Sequence, residues 1–351
     1  MNLKSLLPLL IVITIKVMTN KISYYFKKFI KFLFSVWTNT ALFIGSAILG
    51  LTILTVILIQ TLAKTDSFET HSRILYQGDA QEIAYVRLAG EIAYSTDDSL
   101  LGFKPFVINP IRVRQLFSYL AQSNRVEAIV LDVNSPGGSV AASEEVYQQV
   151  KSLSLAKPVF VYFGDIATSG AYYISLPAEK ITASIPTITG SIGVVAFDPD
   201  LSGLYDKLGI DIQTYQSGPY KDIGSINRAA TLTEREIFES IIEDSYQLFI
   251  DRVEENRPLD RDIILTIADG RIYSGKQALE NGLIDSLGTI DSVFDDARLS
   301  VLVDDPSIKE YFLTGSRFGS FLGVQNLNLL PSSIFETPLQ TRLGLYYLWT
   351  R

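Results

Sequence analysis

The stretch AIVLDVNSPGGSVAASEEVYQQV, residues 128–150, contains the features that decide the fold. It begins with a short apolar run, passes through a glycine turn and continues into a segment whose apolar residues have helical spacing. The order recurs in PVFVYFGDIATSGAYY, residues 158–173, where an apolar run again leads into small residues and a short helix. Strands that alternate with helices in this way predict an α/β fold with a largely parallel sheet covered by helices.

Other parts of the chain continue this alternation. Strands are predicted at 83–88, 128–133, 159–163, 181–183 and 212–215. Helices are predicted between them at 113–122, 141–153 and 170–176. A long amphipathic helix is predicted after Thr231, with Thr231 or Thr233 as its cap and an end before Pro258. Three shorter helices are predicted near 260–268, 275–281 and 289–297.

Composition excludes several classes of enzyme. The 351 residues include no cysteine, which removes disulfides, thiolate catalysis and cysteine-ligated metals. The one histidine, His71, lies in a polar stretch interpreted as a linker, so neither a Ser-His-Asp triad nor a histidine-rich zinc site is expected. The net charge of −8 becomes −14 without the six lysines of residues 1–40, and such an acidic body argues against nucleic-acid binding. A hydrolase built on this chain needs a base other than histidine.

Residues 41–62, ALFIGSAILGLTILTVILIQTL, predict a transmembrane helix. These 22 residues carry no charge, and at about 1.5 Å per residue they span a hydrocarbon core of about 30 Å. Lysines precede the segment and an acidic domain follows it, which predicts a cytoplasmic N-terminus and an extracytoplasmic domain, periplasmic or extracellular. No Ala-x-Ala site follows, so an uncleaved anchor is expected. Translation from Met18 is a further hypothesis, since the apolar run 6–15 is too short to span comfortably.

The first candidate site motif is Asn134-Ser135-Pro136-Gly137-Gly138-Ser139, between a strand and a helix. Glycines leave backbone N–H groups uncovered, and the start of a helix adds partial positive charge. The turn formed by Gly137 and Gly138 can therefore hold an oxyanion, although an ordinary tight turn is the simpler interpretation of the motif by itself.

The second motif is Ala167-Thr168-Ser169-Gly170-Ala171, after the strand at 159–163. Ser169 begins a predicted short helix with small residues beside it, which leaves its hydroxyl open to an acyl group. A helix cap is the simpler interpretation of a serine in this position.

The third motif is Gly218-Pro219-Tyr220-Lys221-Asp222, after the predicted strand at 212–215. A lysine acts as a base near neutral pH only if burial or nearby positive charge lowers its pKa, and most lysines are solvated surface charges. Between the second and third motifs, Ser191 in Thr189-Gly190-Ser191-Ile192-Gly193 could orient a neutral lysine.

Taken together, residues of about 82–297 resemble the signal peptide peptidase A family in its short, single-domain form. The resemblance implies a Clp protease/crotonase-like ββα spiral preceded by an N-terminal transmembrane helix. It implies that Ser169 is the nucleophile, that Lys221, 52 residues later, is the general base, and that Ser191 positions the lysine. It also makes the Gly137-Gly138 turn the oxyanion loop. The sequence departs from the usual Ser-Gly-Gly in having Ala171, which bears on pocket shape.

The activity implied by this resemblance is that of a membrane-anchored serine endopeptidase. Its expected substrates are cleaved signal peptides and other hydrophobic peptides at the membrane, and no metal or organic cofactor is expected. Homo-oligomers in which a neighbouring protomer supplies the lysine are implied as well. A crotonase-type acyl-CoA enzyme and an inactive membrane scaffold of the same fold are the alternatives.

The expected domain organisation follows from these assignments. A basic cytoplasmic segment (1–40) precedes the transmembrane helix (41–62), a linker (63–80), the catalytic domain (81–300) and a C-terminal extension (301–351).

Overall fold

A computed structural model describes residues 24–28, 50–53, 69–94, 107–314 and 345–348. The chain divides into two units, Met1–Ser67 and Phe68–Arg351. In the first unit, the described residues form two helical segments, 24–28 and 50–53. No helix within the described ranges is long and apolar enough to cross a membrane, and most of the predicted segment 41–62 falls outside those ranges.

The second unit combines strands and helices in the order that the sequence predicts. Its described strands are β1 (Glu69–Tyr76), β2 (Asp79–Ala89), β3 (Glu91–Ile92), β4 (Val107–Ile108), β5 (Val126–Ser135), β6 (Gly137–Ser139), β7 (Val159–Thr168), β8 (Lys180–Ala183), β9 (Ile188–Gly190), β10 (Val195–Ala196), β11 (Ile272–Ser274), β12 (Ser286–Leu287), β13 (Pro306–Thr314) and β14 (Leu345–Leu348). Its described helices are α1 (Pro110–Gln122), α2 (Val140–Ala156), α3 (Gly170–Ser175), α4 (Ser202–Leu208), α5 (Leu232–Asn256), α6 (Arg261–Ile267), α7 (Gly275–Glu280) and α8 (Ile290–Val301).

The main sheet is mixed but mostly parallel. Its strands follow the order β1-β13-β2-β5-β7-β8-β12, and along this path only β1 is antiparallel to its neighbour. The end of β7 also pairs in parallel with β9, which in turn pairs with β11. A second sheet has the order β10-β14-β6-β3-β4. The prediction of a largely parallel α/β fold is confirmed.

The central strands of the main sheet, β2, β5, β7 and β8, are largely buried on both faces, which explains why they are continuous apolar runs. In β2, Ile83 and Tyr85 pack on one side in a cluster with Val293 of α8. Their neighbours Ala84 and Val86 point to the other side and join the large core that α1, α2, α3 and α5 cover. Side chains of a strand alternate between faces, so β2 contributes side chains to the core on each face of the sheet.

The long helix α5 begins as its sequence predicts. Thr231 accepts a hydrogen bond from the Glu234 backbone N–H, and the Glu234 carboxylate accepts one from the Thr231 N–H, which forms a capping box. The cap is therefore Thr231 rather than Thr233.

Several elements differ from the sequence prediction, among them helix α4 and short strands such as β11 and β12, which were not predicted. The predicted strand at 212–215 is wrong: these residues have no regular structure, and Ile212 and Tyr215 are exposed. Strand β1 lies in the segment predicted as a linker, and β13 lies in the predicted C-terminal extension. Strand β1 is an exposed edge strand, and polar edge strands resemble linkers in composition.

Candidate active site

Ser169 stands at the junction of β7 and α3 in a strained backbone conformation. Its φ is +56° and its ψ is −117°, a region in which a residue with a side chain costs about 1–3 kcal/mol. Its backbone N–H donates to the Gly190 carbonyl at 2.7 Å, which holds the turn in place. Strain of this kind persists only where the surrounding structure enforces it, and it is concentrated at functional sites.

Ser191 occupies the equivalent position on the neighbouring strand. Thr168 and Gly190 are paired in the parallel β7–β9 ladder, so Ser169 and Ser191 follow their strands side by side. Ser191 also has a positive φ of +52° and is 8% exposed. Its N–H donates to the Arg271 carbonyl at 2.8 Å. The structure therefore brings together the two serines that the sequence predicts for the site.

The glycine turn packs directly against the residue that follows Ser169. A side chain at Gly170 would come within 2.5 Å of Ser143 Oγ, 3.2 Å of Gly138 N and 3.3 Å of Gly137 Cα. A Cβ at Gly138 would lie 2.1 Å from the Ile92 carbonyl oxygen, so only glycine fits there. The Gly137 N–H donates to Ser135 Oγ at 3.1 Å, which leaves Gly138 as the better candidate oxyanion donor.

The start of helix α2 lies immediately after this turn. Its N-cap, Ser139, makes no side-chain hydrogen bond to the first turn of the helix. The positive end of a 17-residue helix is therefore directed toward the glycine turn without a side-chain cap, which favours negative charge at this point.

Three buried hydroxyls cluster around Ser169 without a hydrogen-bond partner among the described residues. They belong to Ser169 itself, to Thr168 and to Ser143. All three residues are at most 1% exposed. Buried polar groups are normally paired, and an unpaired one requires an explanation such as a reactive role. Ser143 and Thr168 were not predicted from the sequence, because a serine or threonine beside a turn has no distinctive pattern.

Helix α3 is fixed rigidly behind Ser169. The Tyr172 hydroxyl donates to the Leu283 carbonyl at 2.9 Å, and burial raises the pKa of Tyr172, so this donor stays protonated. The Tyr173 hydroxyl donates to Glu144 on α2. These two bonds tie the helix that Ser169 begins to two different parts of the core.

An extended segment of the chain itself lies along the glycine turn. Strand β14 pairs antiparallel with β6, in the register Tyr346↔Ser139, Tyr347↔Gly138 and Leu348↔Gly137. On its other edge it pairs with β10 at Val195 and Ala196. It also contacts α3, the helix that follows Ser169. This edge therefore pairs with an extended segment next to the turn that packs against Gly170.

Lys221 lies outside this cluster. It is exposed, in a turn whose backbone includes a hydrogen bond from Lys221 N–H to the Gly218 carbonyl at 3.2 Å. Since Ser169 Oγ has no partner among the described residues, Lys221 Nζ does not contact it within this chain. The turn also does not follow a strand, which removes the strand-end argument for Lys221.

His71 is remote from the candidate site. It lies in β1 and its ring stacks on Phe312 with centroids 6.2 Å apart. Four strand spacings separate β1 from β7, which amounts to about 19 Å across the sheet. Within the described residues no group of three or more His, Cys, Asp or Glu could hold a metal ion.

Comparisons with known proteins agree on one family. The family model of peptidase family S49 matches residues 151–304, and that of Clp protease matches residues 110–187. A candidate protease of Methanocaldococcus jannaschii is 41% identical over 198 residues, which cover 56% of this chain and 64% of the relative. A candidate signal peptide peptidase SppA of Enterococcus faecium is 35% identical over 193 residues, which cover 55% and 56%.

A third relative is matched over more of its length. A candidate protease of Synechocystis is 37% identical over 209 residues, which cover 60% of this chain and 70% of the relative. The chain thus spans between 56% and 70% of the length of these three relatives. The match includes both serines and the lysine motif within residues 151–304, and the chain belongs to peptidase family S49.

Proposed function

We propose that this chain is a membrane-anchored serine endopeptidase in which Ser169 is the nucleophile and Lys221 the general base. The main support is the environment of Ser169: a strained backbone, a buried hydroxyl without a partner, and a glycine turn on which an extended strand is already paired. Membership of a peptidase family agrees with this chemistry. The ββα spiral shared with crotonases is part of the same proposal.

In the proposed mechanism, neutral Lys221 accepts the Ser169 hydroxyl proton while Ser169 Oγ bonds to the peptide carbonyl carbon. The Gly138 N–H and the start of α2 stabilise the negative charge on the carbonyl oxygen. The carbon–nitrogen bond then breaks as the Lys221 ammonium returns the proton to the leaving amine. Water then attacks the acyl-enzyme carbonyl carbon and gives a proton to Lys221. The ester bond to Ser169 Oγ breaks, the Lys221 ammonium returns the proton to that oxygen, and the peptide acid is released.

Ser191 is proposed to orient the lysine through its hydroxyl. It stands beside Ser169 at the end of the paired strand, and a groove of about 440 Å³ extends from it along Gly193, Val194 and Tyr246. A lysine that enters this groove would reach Ser191, which lies beside Ser169 at the ends of the paired strands.

A second protomer is proposed to supply that lysine. Lys221 is exposed within its own chain, while Ser169 Oγ is unpaired among the described residues. Homo-oligomerisation would complete each site with the turn of a neighbour. The predicted anchor at 41–62 would hold these assemblies at the membrane, with hydrophobic peptides such as signal peptides as substrates.

The proposal is tested by hydrolysis of fluorogenic hydrophobic peptides by the full chain in detergent. We expect Ser169→Ala and Lys221→Met each to lower kcat/KM by about three orders of magnitude or more. The matched controls are Ser240→Ala and Lys207→Met, which change an exposed serine on α5 and an exposed lysine on α4. Unchanged turnover in either site variant would refute the assigned pair. Binding and turnover of CoA thioesters would instead favour the crotonase alternative.

A further inference from the structure

The turn that carries Lys221 is attached to helix α5 by one arginine. Arg228 donates from Nε to Asp222 Oδ2 at 2.9 Å and from Nη2 to Asp222 Oδ1 at 2.7 Å. It also donates from Nη1 and Nη2 to the two carboxylate oxygens of Glu234, at 2.8 and 2.6 Å. Both contacts are two-pronged, and such contacts fix direction as well as distance.

The far end of this bridge is itself anchored. Glu234 is 1% exposed, and its carboxylate also accepts the Thr231 N–H at 2.8 Å as part of the capping box. The pKa of Glu234 is lowered to about 2, first by its hydrogen bond from Arg228 and then by the Thr231 backbone. Glu234 therefore stays ionised, and α5 provides a fixed point from which Arg228 extends.

The near end of the bridge is the residue next to Lys221. Asp222 is 14% exposed at its side chain, and the hydrogen bond from Arg228 holds its pKa below the usual range. Turning the Gln216 amide so that its nitrogen faces the carboxylate adds a donor at 2.7 Å from Asp222 Oδ1. The Asp222 carboxylate is therefore committed to partners other than Lys221.

A lysine that acts as a base must have a neutral amine, and a nearby negative charge opposes this. A free carboxylate beside Lys221 would stabilise the ammonium form and raise the lysine pKa. The charged groups that converge on the turn are Asp222, Arg228 of the following segment and Glu234 of α5. Arg228 lies between the two carboxylates, so it offsets the charge of the one that adjoins Lys221.

We propose that Arg228 is a positioning residue for Lys221, which it serves by holding Asp222 on the start of α5 and keeping that carboxylate away from the lysine amine. The inference rests on the proposed function of Lys221 as the base. It assigns to Arg228 two effects that are separable by experiment: it fixes the turn, and it keeps the lysine neutral at lower pH.

The test compares Arg228→Gln with Arg228→Lys and with Arg235→Gln, an exposed arginine on the first turn of α5. For Arg228→Gln we expect the midpoint of the kcat/KM profile to rise by about one pH unit, which means about tenfold less activity below the midpoint. Arg228→Lys keeps the charge and should restore the midpoint while leaving the plateau low, since one ammonium cannot make both two-pronged contacts. Arg235→Gln should leave the midpoint unchanged.

Two results would overturn the inference. In the first, Arg228→Gln lowers kcat/KM equally at every pH and leaves the midpoint of the pH profile unshifted. That result would indicate that Arg228 contributes only to folding. The other is the same shift in Arg235→Gln. If Arg228→Gln does not fold, Asp222→Asn replaces it, since that change leaves Glu234 and its contacts to Thr231 and Arg228 in place. A plateau at the wild-type level would then refute the positioning role.

A readout without peptide hydrolysis separates this inference from the proposed function. Competitive acetylation of the full chain with acetic anhydride across pH, followed by mass spectrometry of the Lys221 peptide, titrates the Lys221 amine directly. We expect the Lys221 midpoint to rise in Arg228→Gln and to fall back when Asp222→Asn is added. An unmoved Lys221 midpoint would refute the electrostatic effect, whereas an inactive wild-type enzyme with the expected midpoints would refute the proposed function alone.

Discussion

The serine and lysine regions of the molecule differ sharply in how they are built. Ser169 and Ser191 follow paired strands of the main sheet, carry positive φ angles and are nearly buried. Lys221 lies in a segment, 210–231, that contains no strand and is mostly exposed or half-buried. The difference indicates that the core of one protomer organises the proposed nucleophile, whereas the proposed base lies on the surface in a turn that Arg228 holds to α5.

Among the changes that leave Ser169 and Lys221 in place, the largest expected effect comes from disturbing the buried side at Gly138. Gly138→Ala places a Cβ 2.1 Å from the Ile92 carbonyl oxygen, which forces the turn away from Ser169. We expect kcat/KM to fall by about 10²–10³, the cost of losing one oxyanion donor. We also expect the free energy of unfolding to fall by about 1–3 kcal/mol, as overpacking does.

The control for Gly138→Ala is Gly203→Ala on α4, where nothing lies within 4 Å of the added methyl group. Chemical denaturation and peptide turnover measured on both variants check the prediction. Similar losses in the two would show that the glycine turn has no special relation to Ser169.

The second prediction concerns the separation of the two regions. Ser169→Ala and Lys221→Met are each inactive alone, but if the lysine comes from a neighbour, a co-assembled mixture contains sites with one intact serine and one intact lysine. An equal mixture should recover about one quarter of the wild-type activity, because such a site forms in one of four random pairings.

Recovery is measured after the two variants are co-expressed, so that they assemble together. The control mixture combines Ser169→Ala with Lys207→Met, a variant in which both Ser169 and Lys221 are unchanged. In this mixture every lysine at position 221 is intact. Activity that stays at the background of the separate variants would place both residues of each site in one protomer.

The third prediction concerns strand β14, which occupies the edge that the proposed substrate would use. Deleting residues 345–351 removes a tethered competitor for the Gly137–Ser139 edge. We expect kcat/KM for an added peptide to rise roughly two- to tenfold, since a tethered segment competes at a high effective concentration. Tyr347→Pro in the full chain should act in the same direction, because proline cannot donate a ladder hydrogen bond.

Progress curves with a fluorogenic peptide distinguish this outcome from its opposite. Tyr347→Phe is the control, since it leaves the backbone donor in place. Lower activity after the deletion would mean that β14 supports the site rather than occupying it.

The sequence predicted the buried side of the site better than the exposed side, for a physical reason. Strands β2, β5, β7 and β8 are apolar runs bounded by turn residues, and a run buried on both faces is recognisable from composition. The segment at 212–215 alternates apolar and polar residues as a strand does, but it has no partner strand among the residues that the structure describes. Local pattern cannot supply a partner.

The bridge from Asp222 through Arg228 to Glu234 could not be predicted from the sequence. The sequence predicted a cap at Thr231 or Thr233, and the structure shows Thr231 in a capping box with Glu234. That the Glu234 carboxylate also binds Arg228, and that Arg228 reaches Asp222, depends on how the loop folds back on the helix. Sequence separations of six residues carry no pattern that predicts such contacts.

The smallest predicted effect is on the helix that anchors this bridge. Thr231→Ala removes the side chain that accepts the Glu234 N–H at 3.2 Å, and we expect the free energy of unfolding to fall by about 1 kcal/mol. Thr233→Ala is the matched control, because Thr233 is exposed and lies inside the helix rather than at its cap. Denaturant titrations of both variants measure the difference. If the two threonines have equal effects, the capping box contributes nothing measurable, and the fixed point from which Arg228 extends must lie in the burial of Glu234 instead.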